Sequence, residues 1–270
     1  MLGHSIKQQK AGWSGGVLLL FAALTLLGVY LIWQESQVTI IQTESFSGER
    51  AYEDVLAQMA FGPRTPGSPA HAAAVEWMVA ELQAAGWRAS MQEAAWEGQA
   101  VRNVVAEHGS GQPWVLLGAH YDSRIYADRD PDPARQQEPV PGANDGASGV
   151  AVLLEIARVL PADYPGRVTI VLFDAEDSGG ISGWDWIMGS RAYAASLDAN
   201  PDAMVLVDLV GDADLSLPYD GNSEEALRAE NIIDLDYAYW HTVEDTADKV
   251  SAESLQIVGD VVLAWLLGRE

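Results

Sequence analysis

The sequence predicts an α/β fold, a three-layer sandwich around a central, mostly parallel mixed sheet, with one N-terminal transmembrane helix. Three short, mainly apolar stretches have the composition of buried strands: WVLLGAH (114–120), VTIVLFDAED (168–177) and AMVLVDLVG (203–211). Segments with apolar residues at helical spacing lie between them. Buried strands that alternate with helices indicate a parallel sheet covered by helices, which is why we expect this architecture.

The first element is an apolar run that predicts a membrane anchor. Residues 15–33, GGVLLLFAALTLLGVYLIW, carry no charge and are long enough to cross a bilayer as a helix. Lys7 and Lys10 precede the run and acidic residues follow it, so the positive-inside rule predicts a cytoplasmic tail at 1–14. A cleaved signal peptide is the alternative, but the run is long for one and no small-x-small cleavage site follows Trp33.

We therefore expect a single-pass membrane protein whose folded domain is extracytoplasmic. A polar linker is predicted at 34–48 and a catalytic domain, expected to be monomeric, at 49–270. The formal net charge of −24 argues against binding to nucleic acid or to anionic lipid surfaces. It suits small or cationic partners such as peptide amino termini, although a solvated acidic surface is the commoner explanation. The chain has no cysteine, so thiol chemistry is excluded.

The remaining elements follow in order along the domain. A helix is predicted from about Arg50, and a second begins at the Ser68-Pro69 cap signal and ends near Gly86. The stretches 87–96 and 102–108 indicate an antiparallel strand pair, and 114–120 is the first central strand. Further elements are a helix at 148–160, a strand at 168–177, a short helix at 190–197, strands at 203–211 and 231–237, and a closing helix at 251–267.

Residues that can bind metal or carry protons stand where predicted strands end. They are His120, Asp145, Glu176, Asp177, Asp208 and His241. Taken singly, each has an ordinary explanation as a turn, a helix cap or a core histidine. Together, two imidazoles and three carboxylates are the ligands of a hydrolytic zinc site, and Glu176 is a proton carrier of the usual kind. The carboxyl edge of a parallel sheet would bring them together.

Charge and spacing refine this prediction. Asp122, two residues after His120, could hold the second nitrogen of that imidazole. Glu176 and Asp177 repel each other at a buried strand end unless a cation or a shared proton is present. Asp208 is a single acid in an apolar run, which is costly unless it is paired or ligated. Three carboxylates could serve one divalent ion, or two with a bridging hydroxide.

These motifs, in this order, resemble the zinc exopeptidase family that contains bacterial aminopeptidases and animal-type glutaminyl cyclases. The resemblance covers roughly Arg50 to the C-terminus. For the aminopeptidases it implies one zinc on His120, Asp145 and Asp208, and a second on Asp145, Asp177 and His241, with Glu176 activating water. For the cyclases it implies a single zinc on Asp145, Asp177 and His241.

Several details are similar to the bacterial cyclases. They include the FGPRTPGSPAH opening, the FDAED pair, the WDWIMGSRAYA insertion and Trp240 directly before His241. The resemblance then implies conversion of an N-terminal glutamine to pyroglutamate with release of ammonia. Glu176 would transfer the proton, Asp208 would orient or share it, and Trp184, Trp186 or Trp240 would line the substrate pocket, although packing explains each tryptophan equally well.

One departure separates the chain from this family. Only 32 residues, 209–240, lie between Asp208 and His241, where the family usually has a longer connection. Three hypotheses follow: a membrane-anchored glutaminyl cyclase, a zinc aminopeptidase, and a non-catalytic ectodomain that binds metal or peptide. One zinc is expected for the cyclase and two for the aminopeptidase.

Overall fold

A six-stranded mixed sheet forms the centre of the domain in the computed structural model, which describes residues 45–217 and 229–268. Its strands are β1 (Arg88–Trp96), β2 (Gln99–Gly109), β3 (Trp114–His120), β4 (Arg167–Phe173), β5 (Ala203–Asp208) and β6 (Ala229–Ile233), in the order β1-β2-β4-β3-β5-β6. β1, β2 and β4 pair antiparallel, whereas β4, β3, β5 and β6 run parallel. The predicted α/β class and mixed sheet are confirmed.

Five described helices accompany the sheet: α1 (Gly48–Ala60), α2 (Pro69–Ala84), α3 (Ala147–Val159), α4 (Met188–Ala195) and α5 (Ala252–Leu267). α3 is buried along almost its whole length because it packs between the sheet and α1. The main core joins α1, α2, α3 and α5 to one face of the sheet, through β3 residues such as Val115 and Leu117. Of the described helices, only α4 packs on the opposite face, where Tyr193 contacts Leu116 and Phe173.

β3 is the strand that the sequence identifies most clearly, and the structure shows why. All seven of its residues are buried, because strands pair with it on both sides and the two faces are covered. A Cβ at Gly118 would lie 2.8 Å from the ring of Phe173, so only glycine fits there without movement. β3 therefore ends at a fixed point, and its last residue is His120.

The N-terminal boundary of the domain differs from the prediction. Residues 45–48 do not behave as linker: Phe46 is 3% exposed and Ser47 caps α1 by accepting a hydrogen bond from the backbone N–H of Arg50. Apolar contact with α5 places Phe46 in the core, which local composition did not reveal. The predicted tail 1–14 and anchor 15–33 lie outside the described residues. Among the residues that are described, no helix is both long and apolar enough to span a membrane.

Candidate metal centre

The predicted site residues converge at the carboxyl edge of the parallel strands. His120 is the last residue of β3 and Asp208 the last of β5, while Glu176 and Asp177 lie in the turn after β4. Asp145 precedes α3, and His241 lies in the loop that leads to α5. Because β4, β3 and β5 are parallel neighbours, their ends meet at one edge of the sheet.

One group of possible ligands consists of His120, Asp145 and Asp208. The His120 Nε2 atom lies 3.0 Å from Asp145 Oδ1 and 3.2 Å from Asp208 Oδ1. One ligand atom from each residue lies within 4.8 Å of the others, which is close enough to share one metal ion. The side chain of Asp208 is 19% exposed, so this group opens to solvent through Asp208.

The second group consists of Asp145, Asp177 and His241. The His241 Nε2 atom lies 2.8 Å from Asp177 Oδ1 and 3.8 Å from Asp145 Oδ2. All three residues are buried, and their ligand atoms again fall within 4.8 Å of one another. Asp145 presents Oδ1 to the first group and Oδ2 to the second, as a carboxylate that bridges two cations would.

The donor set fits zinc. Imidazole nitrogen and carboxylate oxygen are ordinary zinc ligands, and each group offers three of them with room for a substrate or water. The buried oxygens Asp145 Oδ2 and Asp177 Oδ2 have no hydrogen-bond partner. Since an unpaired buried carboxylate oxygen is costly, a cation between these two residues accounts for both.

Asp122 occupies the position predicted for it and also supports the acidic pair. Its Oδ1 atom lies 3.5 Å from His120 Nδ1. The same carboxylate accepts hydrogen bonds from the backbone N–H groups of Glu176, at 3.0 Å, and Asp177, at 3.3 Å. One buried side chain therefore lies beside the His120 imidazole and holds the turn that carries Glu176 and Asp177.

Two supporting residues are absent from the sequence-based prediction. Asp245 accepts hydrogen bonds from the backbone N–H groups of Asn144, at 2.8 Å, and Asp145, at 3.1 Å, and from the Tyr237 hydroxyl at 2.7 Å. Arg64 is fully buried and donates to the backbone carbonyls of Tyr121, Pro141 and Gly142. In the sequence both residues resemble ordinary turn residues, because their partners lie far away along the chain.

Burial and neighbouring charges shift the pKa values of the titratable groups at the site in different directions. With no cation counted, burial raises the pKa of Glu176 to about 8, and Asp208 and Asp122 raise it while His120 lowers it. Burial lowers the pKa of His241 to about 4, which leaves this imidazole neutral and able to ligate a metal at neutral pH. Burial also lowers the pKa of His120, but the surrounding carboxylates outweigh it and leave that pKa well above the usual value.

The backbone around the site adopts unfavourable conformations. Ala175, Leu209 and His241 have positive φ angles of 50°, 54° and 57°, although none of them is glycine. Such left-handed residues cost on the order of 1–3 kcal/mol each and persist only where the surrounding contacts hold them. They lie immediately before Glu176, immediately after Asp208, and at a predicted ligand, so they aim side chains that regular strands would direct elsewhere.

Aromatic side chains line a cavity of about 300 Å³ beside the second group. Trp186 stacks on His241 with ring centroids 6.2 Å apart, and Trp240 lies 3.7 Å from the same imidazole. The cavity wall includes Asp145, Asp177, Trp186, Trp240, Glu176, Asp208, Ile233, Leu235 and Tyr237. The prediction that Trp184 lines the pocket is not met, because Trp184 packs with Val101, Ala175 and Met188 instead.

Comparison with known proteins finds similar zinc exopeptidases and glutaminyl cyclases. Residues 103–234 match Peptidase family M28. Aminopeptidase YwaD of Bacillus subtilis is 28% identical over 195 residues, which cover 56% of this chain and 40% of YwaD. The crystal structure of Bacteroides thetaiotaomicron glutaminyl cyclase has a TM-score of 0.78 and 27% identity over 85% of this chain and 100% of that one. A Zn-dependent exopeptidase from Parabacteroides distasonis has a TM-score of 0.75 and 29% identity over 84% and 100%.

These findings confirm the resemblance to zinc exopeptidases and bacterial glutaminyl cyclases. They also confirm two predictions that depend on this resemblance: the protein is an enzyme, and zinc is its cofactor. The chain spans 41% and 40% of the length of two of the curated relatives it matches and about a quarter of the length of others, so the particular reaction requires a separate argument from the site.

Proposed function

We propose that this protein is a zinc-dependent glutaminyl-peptide cyclotransferase, which converts an N-terminal glutamine to pyroglutamate and releases ammonia. The observation that carries the proposal is the aromatic-walled cavity beside Asp145, Asp177 and His241. Glu176 and Asp208 belong to the wall of the same cavity, so a proton carrier and a metal group face one small space.

The chain's own residues suit this reaction. Asp145, Asp177 and His241 would hold zinc, which when bound polarises the side-chain carbonyl of the substrate glutamine. Glu176 accepts a proton from the α-amine as the amine nitrogen bonds to that carbonyl carbon, and it returns the proton to the departing amide nitrogen, which leaves as ammonia. Asp208 holds the amine against Glu176, and Trp186 and Trp240 form the aromatic wall beside His241.

An aminopeptidase is the second candidate, and one observation favours it. The group of His120, Asp145 and Asp208 is complete, and Asp145 lies between the two groups as a bridging ligand would. Two bound cations with water between them would support hydrolysis of the first peptide bond, with Glu176 as the base. A non-catalytic ectodomain has less support, because the groups needed for turnover lie together.

We propose further that the enzyme is held in a membrane by residues 15–33, with the folded domain extracytoplasmic. The uncharged run and the lysines before it support this arrangement. A protease added to intact cells should cleave the domain from its anchor, whereas complete protection of the domain would contradict the orientation.

Mass spectrometry of a glutamine-initiated peptide incubated with the zinc-loaded full-length protein tests the reaction directly. Loss of the mass of ammonia alone is the expected result, and loss of a whole residue would establish the aminopeptidase instead. An unchanged peptide, with zinc binding verified on the same sample, would contradict both candidate reactions.

A further inference from the structure

A second cavity, of about 450 Å³, lies on the sheet face that α4 only partly covers. Its lining is largely apolar and comes from β3, β4, β5 and α4, including Leu116, Phe173, Tyr193, Leu197, Met204 and Leu206. A cavity of this volume can enclose a large side chain or a short alkyl group. Neither the metal groups nor the reaction proposed above requires this space.

This apolar cavity adjoins the candidate active site. One of its ends is lined by His120, Glu176 and Asp208. Glu176 and Asp208 also line the aromatic cavity, so the two spaces meet at these two carboxylates. An amino group held there has the metal groups on one side and the apolar cavity on the other.

We propose that the apolar cavity is a specificity site that binds a large apolar side chain adjacent to the substrate's amino terminus. This inference rests on the proposed function: with glutamine in the aromatic cavity, the side chain of the second residue enters the apolar cavity. The ligand class is therefore a primary amine that carries an extended apolar group. The carboxylates at one end of the cavity would bind the amine, and the aliphatic and aromatic side chains along the rest would contact the apolar group.

Two features make a substrate side chain a better occupant than a partner protein. The cavity is continuous with Glu176 and Asp208, whereas a protein surface for docking need not reach them. Polar groups lie at its margin, where Arg191 pairs with Asp185 at 3.0 Å. A bound side chain would thus enter an apolar space from a polar margin, as substrate pockets generally require.

Peptide kinetics test the inference. The kcat/KM values of Gln-Ala, Gln-Leu and Gln-Phe peptides should differ, and the large apolar residues should raise kcat/KM by about 10- to 100-fold over alanine. The variant Ala194→Trp, at an exposed position of α4 that lines the cavity, should remove this preference, so that the three peptides give similar kcat/KM values. Ala195→Trp is the matched control, because Ala195 is exposed on the same helix and does not line the cavity.

A binding measurement separates the cavity from the reaction. Calorimetric titration of the zinc-loaded protein with butylamine, hexylamine and octylamine should show affinity rising about fourfold for each added methylene. That dependence should disappear in Ala194→Trp and persist in Ala195→Trp. If no peptide releases ammonia but the amine series behaves in this way, the cavity assignment stands and the proposed cyclase reaction is wrong.

The opposite result is equally informative. Ammonia release that is independent of the second residue, together with amine affinities independent of chain length, would overturn the specificity site and leave the cyclase intact. Sedimentation of the wild type and of Ala194→Trp tests whether a second copy of the chain occupies the cavity instead. A dimer lost in the variant, with flat amine affinities, would assign this face to a second copy of the chain and overturn the inference.

Discussion

At the scale of single residues, the centre depends on carboxylates with different tasks. Asp145 offers one oxygen to each ligand group, Asp122 supports a turn, and Glu176 faces both cavities. All three residues are acids at one edge of the sheet. Their different roles therefore come from their different surroundings and not from their chemical type. Each role can therefore be tested by a change that keeps the shape of the side chain and alters its chemistry.

Replacing Glu176 with glutamine should reduce turnover by about 10²- to 10⁴-fold, because the amide cannot accept the proton. Zinc content should stay near the wild-type level, since Glu176 belongs to neither ligand group. Ammonia release and metal analysis of the same preparation measure the two quantities. Glu244→Gln is the control, as Glu244 is an exposed residue near His241 that pairs with Arg135. Wild-type turnover in Glu176→Gln would remove this residue from the mechanism.

Asp245→Asn should weaken both folding and metal binding. The carboxylate accepts from two backbone N–H groups and one hydroxyl, and an amide must direct its own N–H groups toward one of these donors. We expect a loss of about 1–3 kcal/mol in the free energy of unfolding and zinc affinity lower by roughly 10- to 100-fold. Urea unfolding and zinc titration measure these effects.

Asp248→Asn serves as the comparison for Asp245→Asn, because Asp248 is exposed and interacts with its neighbours Thr246 and Lys249. It should leave zinc affinity unchanged. Equal effects of the two substitutions would show that Asp245 has no special part in holding the loop of Asp145.

At the scale of elements, the packing of α5 against the start of the domain explains why the predicted linker was too long. A Cβ at Gly259 would lie 2.2 Å from the ring of Phe46, so the helix has no side chain where that ring packs. The sequence around Phe46 is polar, and nothing local indicates a core residue. The contact joins positions more than 200 residues apart, which a local pattern cannot report.

Gly259→Ala should therefore destabilise the domain, although alanine is intrinsically the better helix former by about 1 kcal/mol. Displacing Phe46 from a filled core should cost about 1–3 kcal/mol in the free energy of unfolding, measured in urea. Gly268→Ala is the matched control at the end of α5, where the nearest atom to a new Cβ is Ala264 O at 3.3 Å. A more stable Gly259→Ala protein would show that Phe46 can leave without loss.

Most elements could be predicted because their signals are local. Apolar runs marked β3, β4 and β5, and Ser68 with Pro69 marked the start of α2, where Ser68 accepts from His71 N. The strand predicted at 231–237 is only partly confirmed, because β6 spans Ala229–Ile233. Boundaries were less accurate: α4 begins at Met188, two residues before its predicted start, after the left-handed residue Ile187.

At the scale of the whole molecule, the metal centre concentrates negative charge in an already acidic chain. The formal net charge is −24, and Asp122, Asp145, Asp177 and Asp245 are all buried around one edge of the sheet. Arg64 and Arg124 are the buried arginines among the described residues. Both donate to backbone carbonyls, and Arg124 also binds Asp128. A bound cation would supply the positive charge that these acids require.

Metal removal should consequently lower the stability of the entire domain. A ligand present at a hundred times its dissociation constant stabilises the folded state by about 2.7 kcal/mol, so a chelator should lower the Tm by several degrees. Zinc added back should restore the Tm, and the number of equivalents required tests the two candidates, one for the cyclase and two for the aminopeptidase. A Tm that is insensitive to chelator would contradict a tightly bound metal.

The ligand residues and the supporting residue Asp122 could be predicted, but the other two supporting residues could not. Metal binding is the simplest explanation for two histidines and three aspartates that all stand near strand ends, namely His120, Asp145, Asp177, Asp208 and His241. Asp245 and Arg64 act only through distant backbone groups, and their residue types are common in surface loops. Trp184 carried the same local signal as Trp186, and only the tertiary fold separates a core position from a cavity wall.

The span of chain that closes the centre has a consequence for how the protein matures. His241 meets Asp177 across 64 residues, and Asp245 binds Asn144 across 101. Contacts this distant form late, after the sheet has assembled. A chain still emerging from the ribosome would lack His241 and Asp245 and could not complete the second ligand group. The second ligand group can therefore bind metal only after these contacts have formed, so the metal available where folding ends determines which ion that group carries.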